Sequence, residues 1–267
     1  MATRTDRIAI DYTLTFETPF HFGTGLSAGL IDRTIVRDHD GFLYVPGSTF
    51  KGVLREQCEI LERLYEAFDP DMLALTDSPH NNRIALSGLG RSVTMITRIF
   101  GSHHHPGHLF FDDAYLTDDE KEQFTDPNPD RAKEKPDGYR QLQVDLYTQV
   151  RLDRPTRTAV PGALYTSEFG VRSMDFEGKI SGWLECTPIE ENQDGPTYSL
   201  LLLLAGLHMI ERMGGNKSTG KGKCTCEIKK LSVNDRIYSK EQWQSWLDSL
   251  SALSFYSEYG AKQEEEA

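Results

Sequence analysis

The sequence lacks the residues and patterns of disulfide-rich, zinc-ribbon and membrane-spanning proteins. Its four cysteines are widely spaced and include no CxxC pair, which argues against a disulfide framework and a zinc ribbon. No apolar run reaches the about 18 residues of a membrane-spanning helix, and the longest, LLLLLAGLHMI, predicts a buried helix. The first residues, MATRTDRIAIDY, lack the apolar stretch of a signal peptide. We therefore expect a cytoplasmic protein with no membrane contact.

Positive charge is also scarce, and it is unevenly distributed. The 267-residue chain has a formal net charge of -12, which argues against indiscriminate nucleic-acid binding. Residues 112–138 are strongly acidic, whereas residues 212–230 are rich in Lys and Arg and contain a single acidic residue, Glu227. A basic patch within an acidic protein predicts a selective anion site.

Apolar periodicity predicts an α+β protein in which helices cover one side of a largely antiparallel sheet. Strands are predicted at RIAIDYTLTFE, HLFFDDAYL, QLQVDLYTQVRLD, GKISGWLECTPI and KCTCEIKKL, and a hairpin is predicted within RTIVRDHDGFLYV, with its turn at DHDG. Helices are predicted from about Thr49 to Phe68, at SVTMITRIFG, from Thr197 to a C′ glycine at Gly214, and at SKEQWQSWLDSL with a Ser239 and Gln242 capping box. Cys224 and Cys226 share one face of the last strand and should be buried packing residues. We expect one domain over residues 1–267, with a lid loop at about 21–47, an acidic insertion at about 112–138 and an exposed excursion at about 150–178.

The stretch PGSTFKGVLRE predicts a turn followed directly by a helix, with Ser48 as the N-cap. Lys51 and Arg55 then lie one turn apart near a helix start, where the positive end of the dipole disfavours cations, and they repel each other. A bound phosphate would relieve both conflicts by accepting hydrogen bonds from amides and side chains together. In the alternative, both side chains extend into water.

The stretch GGNKSTGKGK is a second candidate anion site. Residues 215–221 satisfy G-x-x-x-x-G-K, but Gly222 replaces the Ser or Thr that holds magnesium in a P-loop, and the loop leads from a helix to a strand. We therefore expect no nucleotide cofactor. Glycine amides and lysines can still bind a phosphodiester, and a flexible basic turn is the alternative. The expected contacts are Gly214, Gly215, Lys217, Ser218, Gly220 and Lys221.

Histidines form two further candidate sites. The segment HHHPGH could bind a transition metal or supply an acid and a base, but no carboxylate or cysteine gives a familiar ligand spacing, which favours an exposed loop. Its members are His103, His104, His105 and His108. His21 could stack on or hydrogen-bond to RNA, or be an ordinary histidine at a strand end. The aromatic residues lack the paired motif with which a free-standing RRM stacks bases.

Together these stretches resemble the RAMP superfamily of CRISPR-associated proteins, most closely the repeated backbone subunit of type III effector complexes. In chain order, the resemblance rests on HFGTGLSAGLID with VRDHDGFLYVPGSTFKGVLRE, IFG with LFFDDAYL, VRLDRPTRTAVPGALYTSEFG, and GGNKSTGKGKCTCEI. It extends over nearly the whole chain. It implies a ferredoxin-like, RRM-related core and a thumb-like hairpin in the excursion after Leu152.

The resemblance also implies partners. Copies of the chain, or related RAMP subunits, would stack along a guide RNA beside large and small type III subunits, and target single-stranded RNA would pair with the guide. The protein would hold phosphates while base pairing reads sequence. The implied RNA contacts are the glycine-rich loop and His21, Ser48, Lys51, Arg55, Arg154 and Arg157.

In catalytic members of the family, an aspartate in the flexible loop before the first hairpin cleaves target RNA. The matching residue is Asp32 in GLIDRT, just before the hairpin predicted in RTIVRDHDGFLYV. Its carboxylate would bind a divalent ion, Mg²⁺ or Mn²⁺, or orient a ribose 2′-hydroxyl, while Arg33 or Arg37 stabilises the developing charge. Two alternatives remain open. One is a noncatalytic RAMP subunit of the same filament. The other is a stand-alone endonuclease that processes repeat RNA with a histidine base, which the lack of a His, Lys and Tyr constellation disfavours.

Overall fold

A central antiparallel sheet organises the chain in a computed structural model, which describes residues 4–65, 94–102, 105–128, 130, 137–189 and 195–256. The strands are β1 (Arg4–Phe16), β2 (Tyr44–Val45), β3 (Leu109–Phe111), β4 (Ala114–Leu116), β7 (Met174–Cys186), β8 (Cys224–Val233) and β9 (Arg236–Tyr238). Their order is β2-β4-β7-β1-β8-β9, and β3 pairs with β7 beside β4. The predicted α+β class with an antiparallel sheet is confirmed, and the ferredoxin-like assignment stays a prediction.

Strand β1 forms because its apolar residues alternate with polar ones, so that one face enters the core. Ile10 and Leu14 on this strand are fully buried. The register pairs Ile10 with Ile180 on one side and with Leu231 on the other, and these partners are also fully buried. The strand predicted at RIAIDYTLTFE is therefore the middle of the sheet.

In chain order the helices are α1 (Gly47–Tyr65), α2 (Met95–Phe100), α3 (Asp118–Gln123), α4 (Asp137–Arg140), α5 (Tyr198–His208) and α6 (Lys240–Leu247). Helices α1, α2, α5 and α6 pack against the sheet and one another, whereas α3 has no buried residue. Helix α5 is buried from Tyr198 to Leu207, as its uninterrupted apolar sequence predicts. No helix in the described part of the chain is long and apolar enough to cross a membrane.

A separate two-stranded sheet, here called the 144–170 hairpin, projects from this core. It consists of β5 (Val144–Leu152) and β6 (Ala159–Gly170), joined by a tight turn in which the Asp153 amide donates to the Thr158 carbonyl at 2.9 Å. The sequence predicts an excursion at about 150–178. The hairpin instead takes in most of the strand predicted before the excursion, whose first residues, 141–143, form a 3₁₀ turn, and Met174 already belongs to β7.

Two further local predictions differ from the structure, and a third extends beyond the described residues. HLFFDDAYL forms two short strands, β3 and β4, because strand structure is interrupted at Asp112 and Asp113 between them. Helix α5 ends at His208, so Gly214 is not its C′ residue. The positive φ of Gly214, 86°, instead allows a close approach to the His21 carbonyl, which a Cβ would meet at 2.6 Å. The helix predicted to Phe68 is described only as far as Tyr65.

Other local predictions are confirmed. Helix α2 lies within the predicted stretch SVTMITRIFG, with Gly101 at its C-cap, and α6 begins with the Ser239 and Gln242 capping box. Cys224 and Cys226 are buried on one face of β8. These features depend on residues that are close in sequence, so they can be predicted from short segments.

Candidate nucleic-acid interface

Helix α1 begins at Gly47, two residues before the start at Thr49 that the sequence predicts. The prediction that Ser48 is the N-cap is therefore wrong: Ser48 lies inside the first turn and is exposed. The amides of Thr49 and Phe50 donate to the Pro46 carbonyl, and the Gly47 amide donates to Asp113 Oδ1 at 2.7 Å. A carboxylate of the chain itself thus lies at the positive end of the helix dipole.

Lys51 and Arg55 have different surroundings. Lys51 Nζ lies 5.5 Å from the centre of the Phe111 ring, and burial lowers the pKa of its ammonium group, with a further lowering by the charge of Arg55. Arg55 donates from Nε to Glu59 Oε1 at 2.8 Å, and its side chain is 14% exposed. Of the two cations that the sequence places in conflict with the dipole, Arg55 has a carboxylate partner within its own helix.

The glycine-rich loop, residues 214–223, is held by backbone hydrogen bonds near both ends and is exposed in the middle. The Gly215 amide donates to the His21 carbonyl at 2.9 Å, and the Met213 amide donates to the Gly222 carbonyl at 2.8 Å. Gly222 has a φ of 70°, and a Cβ there would overlap the Met213 carbonyl. Lys217–Thr219 form an exposed 3₁₀ turn between these anchors.

Two lysines connect this loop to other elements. Lys217 Nζ lies 3.7 Å from Glu56 Oε2 on α1. Lys221 Nζ lies 3.8 Å from the centre of the Tyr147 ring and 5.3 Å from that of Phe169, both on the 144–170 hairpin. Stacking of an ammonium group on aromatic faces fixes its position while leaving it charged. The loop therefore joins α1 to the base of the hairpin.

His21 is buried beneath the loop, so the sequence-based expectation that it could stack on RNA is not supported by its placement. Its Nδ1 is 2.7 Å from the Glu168 carbonyl, which makes Nδ1 the donor, and its ring lies 5.4 Å from Phe169. Burial lowers the pKa of the imidazole, and the nearby charge of Arg33 lowers it further, against the raising effect of the hydrogen bond to Glu168. The ring is neutral in the folded chain at neutral pH.

This lowered pKa predicts a loss of stability in mild acid. Below about pH 6.5, the unfolded chain protonates His21 before the folded chain does, so the free energy of unfolding falls as the pH falls towards the folded-state pKa. In His21→Asn, whose amide can still donate to the Glu168 carbonyl, urea midpoints should fall less between pH 7 and pH 5. His39→Asn, at an exposed position, is the control and should retain the wild-type slope. Equal slopes in wild type and His21→Asn would contradict the assignment.

Asp32 lies on an exposed segment that is hydrogen-bonded to β6. Its amide donates to the Thr166 carbonyl at 2.9 Å, and its Oδ2 accepts from the Thr166 amide at 2.8 Å. Arg33 forms a parallel bridge with Ser167 and is exposed. Tyr147, under Lys221, pairs with the same Ser167 across the hairpin. Asp32 is thus attached to the hairpin at Thr166. The next residue, Ser167, pairs with Tyr147, which the glycine-rich loop contacts through Lys221.

Arg37, one of two candidates for stabilising charge during cleavage, is engaged elsewhere. Its guanidinium makes a two-pronged ion pair with buried Glu168, with Nη1 to Oε2 at 3.1 Å and Nη2 to Oε1 at 3.0 Å. The amide of Ile35 also donates to Glu168 Oε2, at 2.9 Å. Exposed Arg33 remains the arginine beside Asp32.

The remaining candidates lie apart from this cluster. Arg154 and Arg157 are exposed near the tip of the 144–170 hairpin. His105 and His108 are exposed, and His103 and His104 lie outside the described residues. Within the described ranges, no group of three His, Cys, Asp or Glu side chains could hold a metal ion.

Sequence reasoning missed three residues that organise the site. Asp113 is hydrogen-bonded to the start of α1, Tyr147 lies under Lys221, and Glu168 binds Arg37. A signal was present for Glu168, because an acidic residue between Ser167 and Phe169 near the end of a strand must either face solvent or have a buried partner.

Comparison with models of protein families shows which family the chain is related to. The RAMP superfamily model matches residues 13–225. The chain belongs to the RAMP superfamily. That match includes most of the hairpin-bearing core, the start of α1 and the whole glycine-rich loop of this RAMP protein. A search of curated proteins finds no match.

Two solved structures are similar to this RAMP chain. A chain of the type III-B Cmr-beta complex bound to cognate target RNA has 14% identity and a TM-score of 0.47, over 82% of this chain and 96% of that chain. A chain of type III-B Cmr-beta in the apo state has 15% identity and a TM-score of 0.49, over 83% and 97%.

Proposed function

We propose that this RAMP protein is a backbone subunit of a type III CRISPR effector complex, which holds guide RNA and cleaves complementary RNA at regular intervals through Asp32 in antiviral defence. The observation that carries the proposal is the convergence of three segments at the base of the 144–170 hairpin. The glycine-rich loop contacts it through Lys221, α1 contacts that loop through Glu56, and the Asp32 segment is bonded to β6.

The guide backbone would lie across the glycine-rich loop and the first turns of α1. Lys217, Lys221 and Lys51 supply positive charge from two elements, and Ser218 and Gly220 leave the loop surface unobstructed for a phosphodiester. Because Asp113 already complements the start of α1, the lysine side chains rather than the helix amides would bind phosphate. Contacts of this kind hold RNA without reading its sequence, which base pairing with the guide would do.

Asp32 would act on the paired strand. Oδ2 accepts from the Thr166 amide, which leaves Oδ1 to accept the proton of a ribose 2′-hydroxyl. The 2′-oxygen then bonds to the adjacent phosphorus as the bond from phosphorus to the 5′-oxygen breaks, which gives a 2′,3′-cyclic phosphate and a 5′-oxygen that takes a proton from water. Arg33, exposed beside Asp32, would stabilise the negative charge that develops on the phosphoryl oxygens.

A divalent ion, Mg²⁺ or Mn²⁺, fits this site only as an ion shared with RNA. Among the described residues, Asp32 belongs to no cluster of three ligands, and one of its oxygens is hydrogen-bonded to the backbone. Mg²⁺ is often held by one or two carboxylates together with phosphates and water. Bound in that way, it would supply positive charge at the scissile phosphate.

Two alternatives predict different behaviour. In a noncatalytic filament subunit, the lysine cluster would bind the guide while Asp32 serves only to attach its segment to β6. A stand-alone repeat-RNA endonuclease would need a histidine base beside the lysines, yet His21 is buried and donates to a carbonyl, and exposed His105 and His108 belong to a different loop. The geometry therefore favours guide binding over repeat processing.

RNA that copurifies with the protein gives the first test. The chain should be expressed with a CRISPR array and candidate type III subunits, including large and small subunits, and the bound RNA sequenced. We expect guide RNAs of discrete lengths that map to the array. Random cellular RNA, or none, would contradict the proposal, and cleavage of unprocessed repeat RNA by the isolated protein would support the stand-alone endonuclease.

A further inference from the structure

We infer that Glu168 is a positioning residue that holds the Asp32 segment, residues 31–37, against the 144–170 hairpin and thereby fixes Asp32 for cleavage. The inference rests on the proposed function for the chemistry of Asp32, but the attachment itself can be tested separately. Glu168 is two residues from Thr166, which bonds to Asp32. Its side chain contacts the part of the segment that lies beyond Asp32.

The Glu168 carboxylate is a buried acceptor with three donors, all from the Asp32 segment. Two N–H groups of Arg37 reach its two oxygens, and the Ile35 amide reaches Oε2. The side chain of Glu168 is 9% exposed and that of Arg37 is 30% exposed. Charge-assisted, two-pronged bonds of this kind fix orientation as well as distance.

The backbone of Glu168 adds two further bonds. Its amide donates to the Arg33 carbonyl at 2.9 Å, and its carbonyl accepts from His21 Nδ1 at 2.7 Å. The His21 carbonyl in turn accepts from the Gly215 amide. Glu168 therefore touches both the segment that carries Asp32 and the histidine on which the glycine-rich loop rests.

Apart from the Glu168 contacts, the Asp32 segment is held by backbone hydrogen bonds and by one buried side chain. Residues 23–30, immediately before the segment, are exposed, and Leu30 is 95% exposed. Within residues 31–37, Ile35 is the only buried residue, and its amide is one of the donors to Glu168. Without the carboxylate, the segment would keep its short backbone ladder to β6, the bond from the Val36 amide to the Phe22 carbonyl and the burial of Ile35, but it would lose its charged anchor.

The test compares Glu168→Gln with wild type in the complex assembled on guide RNA. The amide can still accept from Ile35 but cannot make the two-pronged ion pair with Arg37, so the segment should loosen without loss of the fold. Small displacements of a catalytic group can cost about 10²-fold in rate. We expect single-turnover cleavage of matched target to slow by about 10²-fold, while KM for the target, which depends on base pairing, changes by less than about twofold.

Hydrogen exchange measures the attachment independently of catalysis. In Glu168→Gln, the amides of Arg33 and Ile35 should exchange at least about tenfold faster than in wild type. Glu227→Gln, which removes an exposed carboxylate paired with Lys229 and Lys240, should change neither exchange nor cleavage. Arg37→Gln should reproduce the slower cleavage, and adding it to Glu168→Gln should slow cleavage little further.

The outcomes separate this inference from the proposed function. Faster exchange with unchanged cleavage, in a complex that Asp32→Asn inactivates, would overturn the positioning role and leave catalysis by Asp32 in place. If Asp32→Asn has no effect on cleavage, the catalytic proposal fails, and the exchange result still decides whether Glu168 holds the segment. Unchanged exchange would overturn the attachment.

Discussion

Replacement of Asp32 with asparagine should reduce target-RNA cleavage by about 10³-fold in a reconstituted complex, because the amide cannot take the proton of the 2′-hydroxyl. The oxygen of the new side-chain amide can still accept from the Thr166 amide, so the segment should keep its place. Guide binding should be unaffected, since the lysines lie on other elements. The measurement is single-turnover cleavage of a guide-matched target, with products resolved at nucleotide resolution.

Asp40→Asn is the matched control for that experiment. Asp40 is an exposed aspartate in the turn at residues 38–41, and its replacement makes the same change of charge a short distance along the chain. This variant should cleave at the wild-type rate. Regular cleavage by Asp32→Asn at the rate of Asp40→Asn would show that this chain is a noncatalytic subunit.

Features governed by neighbouring residues could be predicted from the sequence. The alternation of β1, the uniformly apolar α5 and the capping box at Ser239 each depend on a few adjacent side chains. The glycine-rich loop stands out in the sequence because four glycines and three lysines lie within the ten residues 214–223. All of these elements are present in the structure.

Features governed by distant pairings could not be predicted. Asp113 is hydrogen-bonded to Gly47, which is 66 residues away in sequence, and Glu168 is paired with Arg37, which is 131 residues away. Nothing in the local sequence shows which carboxylate will lie at a helix start or which arginine will neutralise a buried glutamate. Such partners are known only when the sheet register is known, because the register decides which side chains face each other.

Arg55 illustrates the difference between detecting a conflict and resolving it. The sequence correctly shows two cations near a helix start, where the dipole disfavours them. It also contains Glu59, four residues after Arg55, which is a favourable spacing for an ion pair on a helix. In the structure, Arg55 Nε donates to Glu59 Oε1 at 2.8 Å, whereas the Lys51 ammonium group lies over the Phe111 ring. The expectation of a bound anion therefore now depends on Lys51 and on the glycine-rich loop.

Substitution of Lys51, Lys217 and Lys221 together by alanine should weaken guide-RNA binding by about 10²-fold at about 0.15 M salt, because each lysine that neutralises a phosphate releases a counterion. Lys221 should contribute most, since Tyr147 and Phe169 hold its charge in place before RNA binds. Lys217 should contribute less, since it must exchange Glu56 for phosphate. Filter binding over a range of salt concentrations measures the effect.

The salt dependence distinguishes phosphate contact from a general change in charge. Removing three contacts should lower the slope of log K against log salt by about 2, given about 0.7 per phosphate of a single strand. The control variant replaces Lys121, Lys229 and Lys240, which pair with carboxylates away from the loop, and so loses the same charge. If both variants weaken binding equally, only the overall potential matters and the loop is not the RNA site. A loss confined to the first variant, with the shallower slope, would place the guide backbone across α1 and the glycine-rich loop.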